Sequence, residues 1–438
     1  MSANQPDRTS GNAGETPLPA ATPMPALPPT FPPGVDPETY KIREVTQLLR
    51  SAAYFPIFNV PNPNNPNQPV PLIPGIPFLQ QYLMIAVQVN EQLHRFEIDV
   101  HEPTLKYGLR ASKKVGEAVA QVHIRWTPIP ENFEAAPNRF PPPTLLNPFS
   151  SQRFCMLEGQ LTFKDRDGSG FHGFGTGRTF PVSGSPGQLW IGAVIDILEG
   201  LGKFKGLAGT SVVNGYIQPP NNLALNLMVR IMDPEGILKG DGPLTSLKPV
   251  TDPDPTAAFM IFLGEPDPSK PVQLVFAPDG TILGSKVHEL LRMVHLDFDF
   301  TSANDLRAES REGPVVGSVS ATLYFNPMNP NPIQPIQTTD GVFTFFDRQR
   351  NVIGTINSNM IEGRAMRTEL AGAPMPVFRF GGFGPILGGT GEFSGADGMM
   401  TMNSAISVFP RTLSNLYIFR LPDPTGRFRA TMQKHSSH

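Results

Sequence analysis

Two short segments alternate acidic and apolar residues, and their carboxyl groups are the first candidates for chemistry. The segments lie at 96–100 and 296–300. Side chains alternate between the two faces of a strand, so the two carboxylates of each segment share one face. Facing a dry interior, such a group would have a raised pKa and could act as an acid or stabilise positive charge, whereas on an outer face it would be a solvated charge. The candidate catalytic residues are Glu97, Asp99, Asp297 and Asp299.

The other residue types that carry chemistry form no recognisable motif. The histidines show no zinc spacing of the His-Glu-x-x-His kind, although a metal site assembled from distant residues stays open. The single cysteine, Cys155, lies in an apolar, strand-like run, which favours a buried structural role over that of a nucleophile. No Gly-x-Ser-x-Gly elbow occurs. The sequence therefore predicts neither a cofactor nor a bound metal.

Composition limits the partners and the compartment. The chain has 438 residues with 35 basic and 38 acidic side chains, and its net charge of −3 argues against a nucleic-acid-binding surface. No apolar run reaches the roughly 18 residues that a membrane span needs. The Pro-rich start lacks the apolar core of a signal peptide. One cysteine allows no intrachain disulfide, so we expect a reducing compartment, the cytoplasm.

The main organisational feature is an internal repeat, in which three segments recur in the same order. An ordered set of matches at a nearly constant offset is hard to produce by chance. The chain is therefore predicted to hold two divergent copies of one unit. The matching pairs are 96–100 with 296–300, 161–165 with 343–347, and 202–209 with 391–398.

Strand-like segments recur at short intervals with turn residues between them, which favours an antiparallel sandwich or barrel. A short helix-like run is expected from Ile42 to Tyr54. The apolar segments Ala257–Leu263 and Val272–Phe276 either link the two copies or complete the first. The expected divisions are a disordered Pro-rich tail over 1–38, a helical segment and extended connector over 39–78, a first β-barrel over 79–240, a linker or added strands over 241–284, a second β-barrel over 285–430 and a tail over 431–438.

The most informative string is the Gly-rich segment Gly388–Gly398, whose glycines could supply a sharp turn around the aromatic plug Phe393. A phosphate loop is disfavoured, because a strand-like run follows and no Gly-Lys-Ser/Thr ending occurs. The string resembles the Gly-Gly-(Thr/Ser/Ala)-Gly-x-Phe-x-Gly-x-x-Gly turn of the allene oxide cyclase and dirigent barrel group. Residues 408–421 resemble the aromatic final strand of the allene oxide cyclases, and Phe96–Asp99 is similar to their Tyr-Glu-Ile-Asn start.

This resemblance implies an all-β chain of two tandem antiparallel eight-stranded β-barrels of the allene oxide cyclase type, after the disordered tail. Members of the group with known activity hold an apolar, reactive molecule inside the barrel and steer its cyclisation. The resemblance therefore implies a cofactor-independent cyclase or isomerase. Its substrate would be an apolar molecule, such as a secondary metabolite, held in a barrel cavity.

Other functions stay open at this point. The barrels could bind an apolar small molecule or act as a scaffold without catalysis, since barrel folds host unrelated functions. One copy could also be structural while the other is active. A sizeable closed cavity with one buried carboxylate in each barrel would favour an enzyme, and an interior filled by Phe and Leu would favour a scaffold. The expected partner is a small apolar molecule, and self-association into a homo-oligomer is left open.

Overall fold

The computed structural model of the chain is built almost entirely from β-strands. The described residues form twenty strands in two antiparallel sheets, with one α-helix at the end. The predicted all-β character is thereby confirmed. The structure describes residues 44–62, 65–70, 85–98, 109–126, 152–163, 167–182, 188–218, 222–232, 248–249, 257–295, 311–325, 333–368, 377–407 and 412–436.

Ten strands form the first sheet. Their bounds are β1 Glu44–Asn62, β2 Asn65–Val70, β3 Ile85–Ile98, β4 Leu109–Trp126, β5 Gln152–Phe163, β6 Gly170–Pro181, β7 Leu189–Leu201, β8 Ala208–Gln218, β9 Asn222–Met232 and β10 Lys248–Pro249. Hydrogen bonds connect them in the order β10-β4-β3-β1-β9-β8-β7-β6-β5, while β2 pairs with β1. Strand β4 also pairs with β5, so the path of pairings returns on itself.

Ten further strands form the second sheet, which is ring-like. Their bounds are β11 Ala257–Pro266, β12 Gln273–Phe276, β13 Ile282–His295, β14 Arg311–Tyr324, β15 Ile333–Phe346, β16 Val352–Ser358, β17 Glu362–Thr368, β18 Val377–Gly391, β19 Met399–Ser407 and β20 Thr412–Pro422. The order is β11-β20-β19-β18-β16-β15-β14-β13-β12, and β11 also pairs with β13. The short strands β16 and β17 both bridge β15 and β18.

The two sheets repeat one order of strands. Strand β11 stands in the second sheet where β1 stands in the first, and β13, β14 and β15 stand where β3, β4 and β5 do. Two of the residues matched in the sequence lie at equivalent positions, since Phe163 pairs with Gly116 and Phe345 pairs with Gly317. The match between 161–165 and 343–347 is therefore in structural register.

The Gly-rich turns also correspond. Gly202 and Gly391 have φ angles of 60° and 58°, a left-handed conformation that glycine adopts without steric cost. Each is followed at the same distance by a buried phenylalanine, Phe204 in the first sheet and Phe393 in the second. The ring of Phe393 lies 4.6 Å from that of Phe345, centroid to centroid, so it packs inside the second sheet as the predicted plug.

The outer face of the second sheet packs on the first sheet. Between them, the amide of Asn403 on β19 donates hydrogen bonds to the carbonyls of Thr210 and Met228, both at 2.9 Å. A Cβ at Gly192 would lie 2.3 Å from the ring of Phe383, so this close approach requires glycine. Residues 377–386 of β18 and 399–404 of β19 are consequently buried without interruption, on both faces of each strand.

Two sequence-based expectations are wrong. Glu44–Asn62 forms strand β1 instead of the helix expected from Ile42 to Tyr54. β1 pairs with β3 on one side and β9 on the other, and these two ladders of hydrogen bonds outweigh a local helical spacing of apolar residues. The strands within 257–276 neither link the copies nor complete the first, because β11 and β12 pair with strands of the second sheet.

The single α-helix of the described residues, α1, spans Arg427–Ser436. Its Phe428 is buried and stacks on Phe393, with ring centroids 6.2 Å apart and planes at 6°. The helix therefore covers the end of the second sheet where the Gly-rich turn lies. Within the described residues, no helix has both the length and the apolar character needed to cross a membrane.

Candidate functional site

A small hollow lies inside the second sheet. Its volume is about 50 Å³, and its walls come from seven strands of the ring and the segment before β17. Inward-facing side chains of alternating strand residues form these walls, so they are mostly apolar. The larger apolar side chains are Phe343, Phe380, Met360, Met400, Met402 and Ile406.

The two ends of the hollow differ in burial. At one end, Phe393 packs between Phe345 and Phe428. The half-buried lining residues Val287 and Leu323 lie at the opposite end, on neighbouring strands β13 and β14.

Of the described side chains that line the hollow, one carries a carboxyl group, that of Glu289. Residues Val287, Glu289 and Leu291 of β13 face inward, and the residues between them face outward. Glu289 is only 2% exposed. Burying an ionisable side chain is costly unless hydrogen bonds compensate, so its partners decide whether the group is tolerated.

Both oxygens of Glu289 accept hydrogen bonds from β20. The Asn415 side-chain amide donates to Oε1 at 2.5 Å, and the Tyr417 hydroxyl donates to Oε2 at 2.9 Å. Asn415 also lies 3.3 Å from the Tyr417 hydroxyl oxygen. Because Asn415 and Tyr417 alternate along one strand, both reach the same carboxyl group from one face of β20.

A glycine on the third strand makes room for the carboxyl group. Gly264 of β11 pairs with both Asn415 and Leu291, and thus lies between β13 and β20. A Cβ at this position would approach Glu289 Oε2 to 2.1 Å and the Tyr417 ring to 2.8 Å. Any larger residue would push the carboxyl group away from its donors.

Burial raises the pKa of Glu289 from 4.5 to about 7, and the hydrogen bonds from Asn415 and Tyr417 oppose only part of that rise. Burial also raises the pKa of Tyr417 well above 10, and the neighbouring Glu289 adds to this effect. Near neutral pH the tyrosine therefore remains a neutral donor, while the carboxyl group exchanges between its acid and carboxylate forms. A group with such a pKa can donate or accept a proton at low cost.

Comparison with known proteins does not identify a relative. No family model, curated protein or solved structure matches this chain. The resemblance to the allene oxide cyclase and dirigent group therefore rests on the motifs quoted above, and function has to be argued from the geometry of the hollow.

The candidate carboxylates from the sequence are not those of the hollow. Glu97 lies near the end of β3, where its backbone pairs with Arg110, but its side chain is outside the described part of the structure. Asp99, Asp297 and Asp299 lie outside the described residues altogether. All four remain predictions.

Sequence reasoning missed Glu289, Asn415 and Tyr417. The available signal was a lone acidic residue on the otherwise apolar inward face Val287-x-Glu289-x-Leu291. Its donors could not be paired with it from the sequence, because Asn415 is 126 residues away. Among the residues that the structure describes, no group of three or more His, Cys, Asp or Glu side chains could hold a metal ion.

The first sheet has an equivalent position for the glutamate. Leu93 pairs with Gly116 as Leu291 pairs with Gly317, and a register shift follows each leucine directly. Glu91, two residues before Leu93, therefore stands where Glu289 stands. In the same register Phe96 stands where Val294 stands, so the sequence match of Phe96 with Leu296 does not follow the pairing of the described residues.

The residues around this glutamate position differ between the two sheets. Following the pairings through β1 places Ser51 at the position of Gly264, because Ser51 pairs with Leu93 and with Leu225. Leu225 then takes the position of Asn415, and Leu227 takes that of Tyr417. Both leucines are buried in an apolar cluster of the first sheet.

Proposed function

We propose that the chain is a cofactor-independent cyclase or isomerase that acts on an apolar substrate in the hollow of the second sheet. The observation that carries the proposal is the carboxyl group of Glu289, buried in apolar walls and hydrogen-bonded through both oxygens. In this proposal each sheet is an eight-stranded barrel of the allene oxide cyclase type. The single cysteine favours a reducing compartment such as the cytoplasm.

Glu289 would supply the acid or the counter-charge for an internal rearrangement. In its neutral form it can donate its proton to a substrate oxygen, and in its ionised form it can stabilise positive charge that develops on carbon. A ring closure or double-bond shift within one molecule needs no co-reactant, because the proton that leaves Glu289 returns to it at the end. Asn415 and Tyr417 would keep the carboxyl group in one orientation throughout.

The apolar walls would hold a flexible substrate in a folded conformation close to the product. Restricting a substrate in this way can lower the activation free energy by several kcal/mol. The hollow of about 50 Å³ is small, so a substrate of ordinary size requires the wall to adjust. Met360, Met400 and Met402 suit this role, because methionine is unbranched and repacks readily.

The first sheet would have a structural role in this proposal. Its described interior is apolar, and Leu225 and Leu227 occupy the positions of the two hydrogen-bond donors. It packs directly against the outer faces of β18 and β19, strands whose inner faces line the hollow. It would thus support the walls of the active barrel.

An isomerase converts one compound into another of identical mass, and this property allows a test while the substrate is still unidentified. Extracts of the source cell would be incubated with the full-length chain and no added cofactor, then compared by liquid chromatography with mass spectrometry. We expect one compound to decline while another of the same mass appears. Native mass spectrometry of the chain purified from that cell would identify a co-purified ligand.

The matched variants are Glu289→Gln and Glu265→Gln. Glu265 is half-buried on the neighbouring strand β11 and pairs with Arg292 at 2.8 Å, outside the hollow. We expect Glu289→Gln to slow conversion about a hundredfold or more, in the range typical for loss of an acid–base group, and Glu265→Gln to leave it unchanged. Equal conversion by the wild type and Glu289→Gln would overturn the proposal.

A second function, that of a scaffold without a ligand or turnover, is favoured by one observation. Ligand pockets usually enclose roughly 300–1,000 Å³, and the hollow is far smaller. The absence of a co-purified ligand together with no conversion of any compound in the extracts would support this second function.

A further inference from the structure

Among the described residues, six polar side chains line the hollow, and five of them have a partner within the protein. Glu289, Asn415 and Tyr417 bond to each other. The Thr338 hydroxyl accepts a hydrogen bond from the Met360 backbone at 2.7 Å, and the Ser358 hydroxyl donates to the carbonyl of Pro385 at 3.0 Å. The sixth is Ser404, whose hydroxyl has no hydrogen-bond partner within the part of the chain that the structure describes.

Ser404 lies beside the carboxyl group. It is on β19, directly opposite Asn415 on β20, with which it forms a cross-strand pair. Side chains at such positions have Cβ atoms roughly 4.5–5.5 Å apart. Since Asn415 contacts Glu289, an atom that bonds to the Ser404 hydroxyl lies on the same side of the hollow as the carboxyl group.

An unbonded hydroxyl at this depth needs an explanation. Ser404 is only 2% exposed, and a buried hydroxyl without a partner destabilises a protein. Its inward neighbours on β19 are Met402 and Ile406, which line the hollow and offer no acceptor. A ligand atom in the hollow would satisfy the hydroxyl.

We propose that Ser404 hydrogen-bonds to an oxygen atom of the substrate and holds that atom beside Glu289. The substrate class is then an apolar molecule with an oxygen function, such as a carbonyl or ether, and Ser404 determines specificity for that function. The proposal rests on the proposed function for the site, but its binding component can be tested without turnover.

The test uses two probes of nearly the same shape, cyclopentanone and methylenecyclopentane, which differ in carrying a C=O or a C=CH₂ group. Binding to the full chain labelled with ¹³C at its methionine methyl groups would be followed by NMR, because Met360, Met400 and Met402 line the hollow. The variants are Ser404→Ala and, as the matched control, Ser358→Ala. Ser358 lines the same hollow but is already satisfied by Pro385.

We expect the preference for the ketone over the alkene, expressed as the ratio of the two affinities, to be about tenfold greater in the wild type than in Ser404→Ala. This factor is what one hydrogen bond supplies, because the cost of desolvating each probe is the same for both proteins. Ser404→Ala should lose this factor without lowering the melting temperature, because it removes an unsatisfied group. Ser358→Ala should keep the preference and lower the melting temperature, because it leaves a buried carbonyl without its donor.

Two results would overturn the proposal: an unchanged preference in Ser404→Ala, or no response of the three methionine methyl groups to either probe. A preference for the ketone that depends on Ser404, together with no isomerisation by the wild type, would retain Ser404 as a ligand contact and reject the proposed catalysis. The two proposals therefore fail in distinguishable ways.

Discussion

The two sheets share one order of strands and one glutamate position, but differ in what surrounds that position. In the second sheet Asn415, Tyr417 and Gly264 give the Glu289 carboxyl group two donors and a space. The equivalent residues of the first sheet are Leu225, Leu227 and Ser51, and neither leucine can donate a hydrogen bond. Among the described residues, the hydrogen-bond donors to the glutamate position are thus found in the second sheet and not in the first.

The difference between the sheets can be tested by placing the two leucines of the first sheet at the equivalent positions of the second. In Asn415→Leu/Tyr417→Leu, the Glu289 carboxylate would be buried without donors. We expect the free energy of unfolding to fall by about 3–5 kcal/mol at pH 8 and by less at pH 5, where the group is protonated. Denaturant unfolding at both pH values measures this.

A third substitution, added to the double variant Asn415→Leu/Tyr417→Leu, is its control. Adding Glu289→Leu removes the charge that the double variant leaves unpaired, and should recover most of the lost stability at pH 8. Equal losses at pH 5 and pH 8, without recovery in the triple variant, would contradict the account of the site.

The pH dependence of stability sharpens the same point. A carboxyl group whose pKa is raised from 4.5 to about 7 on folding stabilises the protein fully below pH 4.5, and this contribution is lost as pH rises through 7. The change amounts to about 3 kcal/mol. We expect the wild type to show this decline between pH 4.5 and 8, and Glu289→Gln to lack it, in denaturant unfolding at a series of pH values.

The control variant Glu265→Gln should keep the decline, because its side chain is half-buried and lies outside the hollow. If the wild type and Glu289→Gln follow parallel curves, the burial of an ionisable Glu289 is not supported.

Gly264→Ala tests the space for the carboxyl group. The new Cβ would lie 2.1 Å from Glu289 Oε2, so the carboxyl group or the strand must move. We expect a loss of about 1–3 kcal/mol in the free energy of unfolding, as for other overpacked interiors. In a Glu289→Ala background the same change should cost less, although the close contact with the Tyr417 ring, at 2.8 Å, remains. A cost independent of the residue at 289 would place the strain elsewhere.

The smallest expected effect is that of Tyr417→Phe. It removes one donor to the carboxylate and leaves the ring in place, so the pKa of Glu289 should rise further above about 7. The loss of stability at pH 8 should be about 1 kcal/mol, the usual net value of one hydrogen bond. A pKa that stays the same or falls, as followed by carboxyl-labelled NMR, would show that the Tyr417 hydroxyl does not favour the ionised form.

Much of the fold could be predicted from the sequence, because local features determine it. Glycines with positive φ, such as Gly202 and Gly391, occur at the turns. The sequence match of Phe163 with Phe345 corresponds to equivalent positions on β5 and β15. Strand β1 could not be predicted, because its conformation depends on pairing with β3 and β9, which lie far along the chain. A helical spacing of apolar residues does not exclude a strand held on both sides.

The candidate site was predicted only as a type. A buried carboxylate on an inward strand face was one of two alternatives left open, and the residues named for it were Glu97, Asp99, Asp297 and Asp299, not Glu289. A strand in which acidic and apolar residues alternate has the same sequence pattern whether the acidic residues face the interior or the solvent. Only the closure of the second sheet, which brings β20 beside β11 and β11 beside β13, places Asn415 and Tyr417 on the carboxyl group of Glu289.

The most direct test of the central claim is a pH titration of the full chain with ¹³C in its glutamate carboxyl groups. This label leaves out Asp196, whose pKa burial also raises. We predict one signal that titrates near pH 7 and disappears in Glu289→Gln while remaining in Glu265→Gln. If the signal lost in Glu289→Gln titrates near 4.5, as for an exposed glutamate, the second sheet does not hold a buried acid.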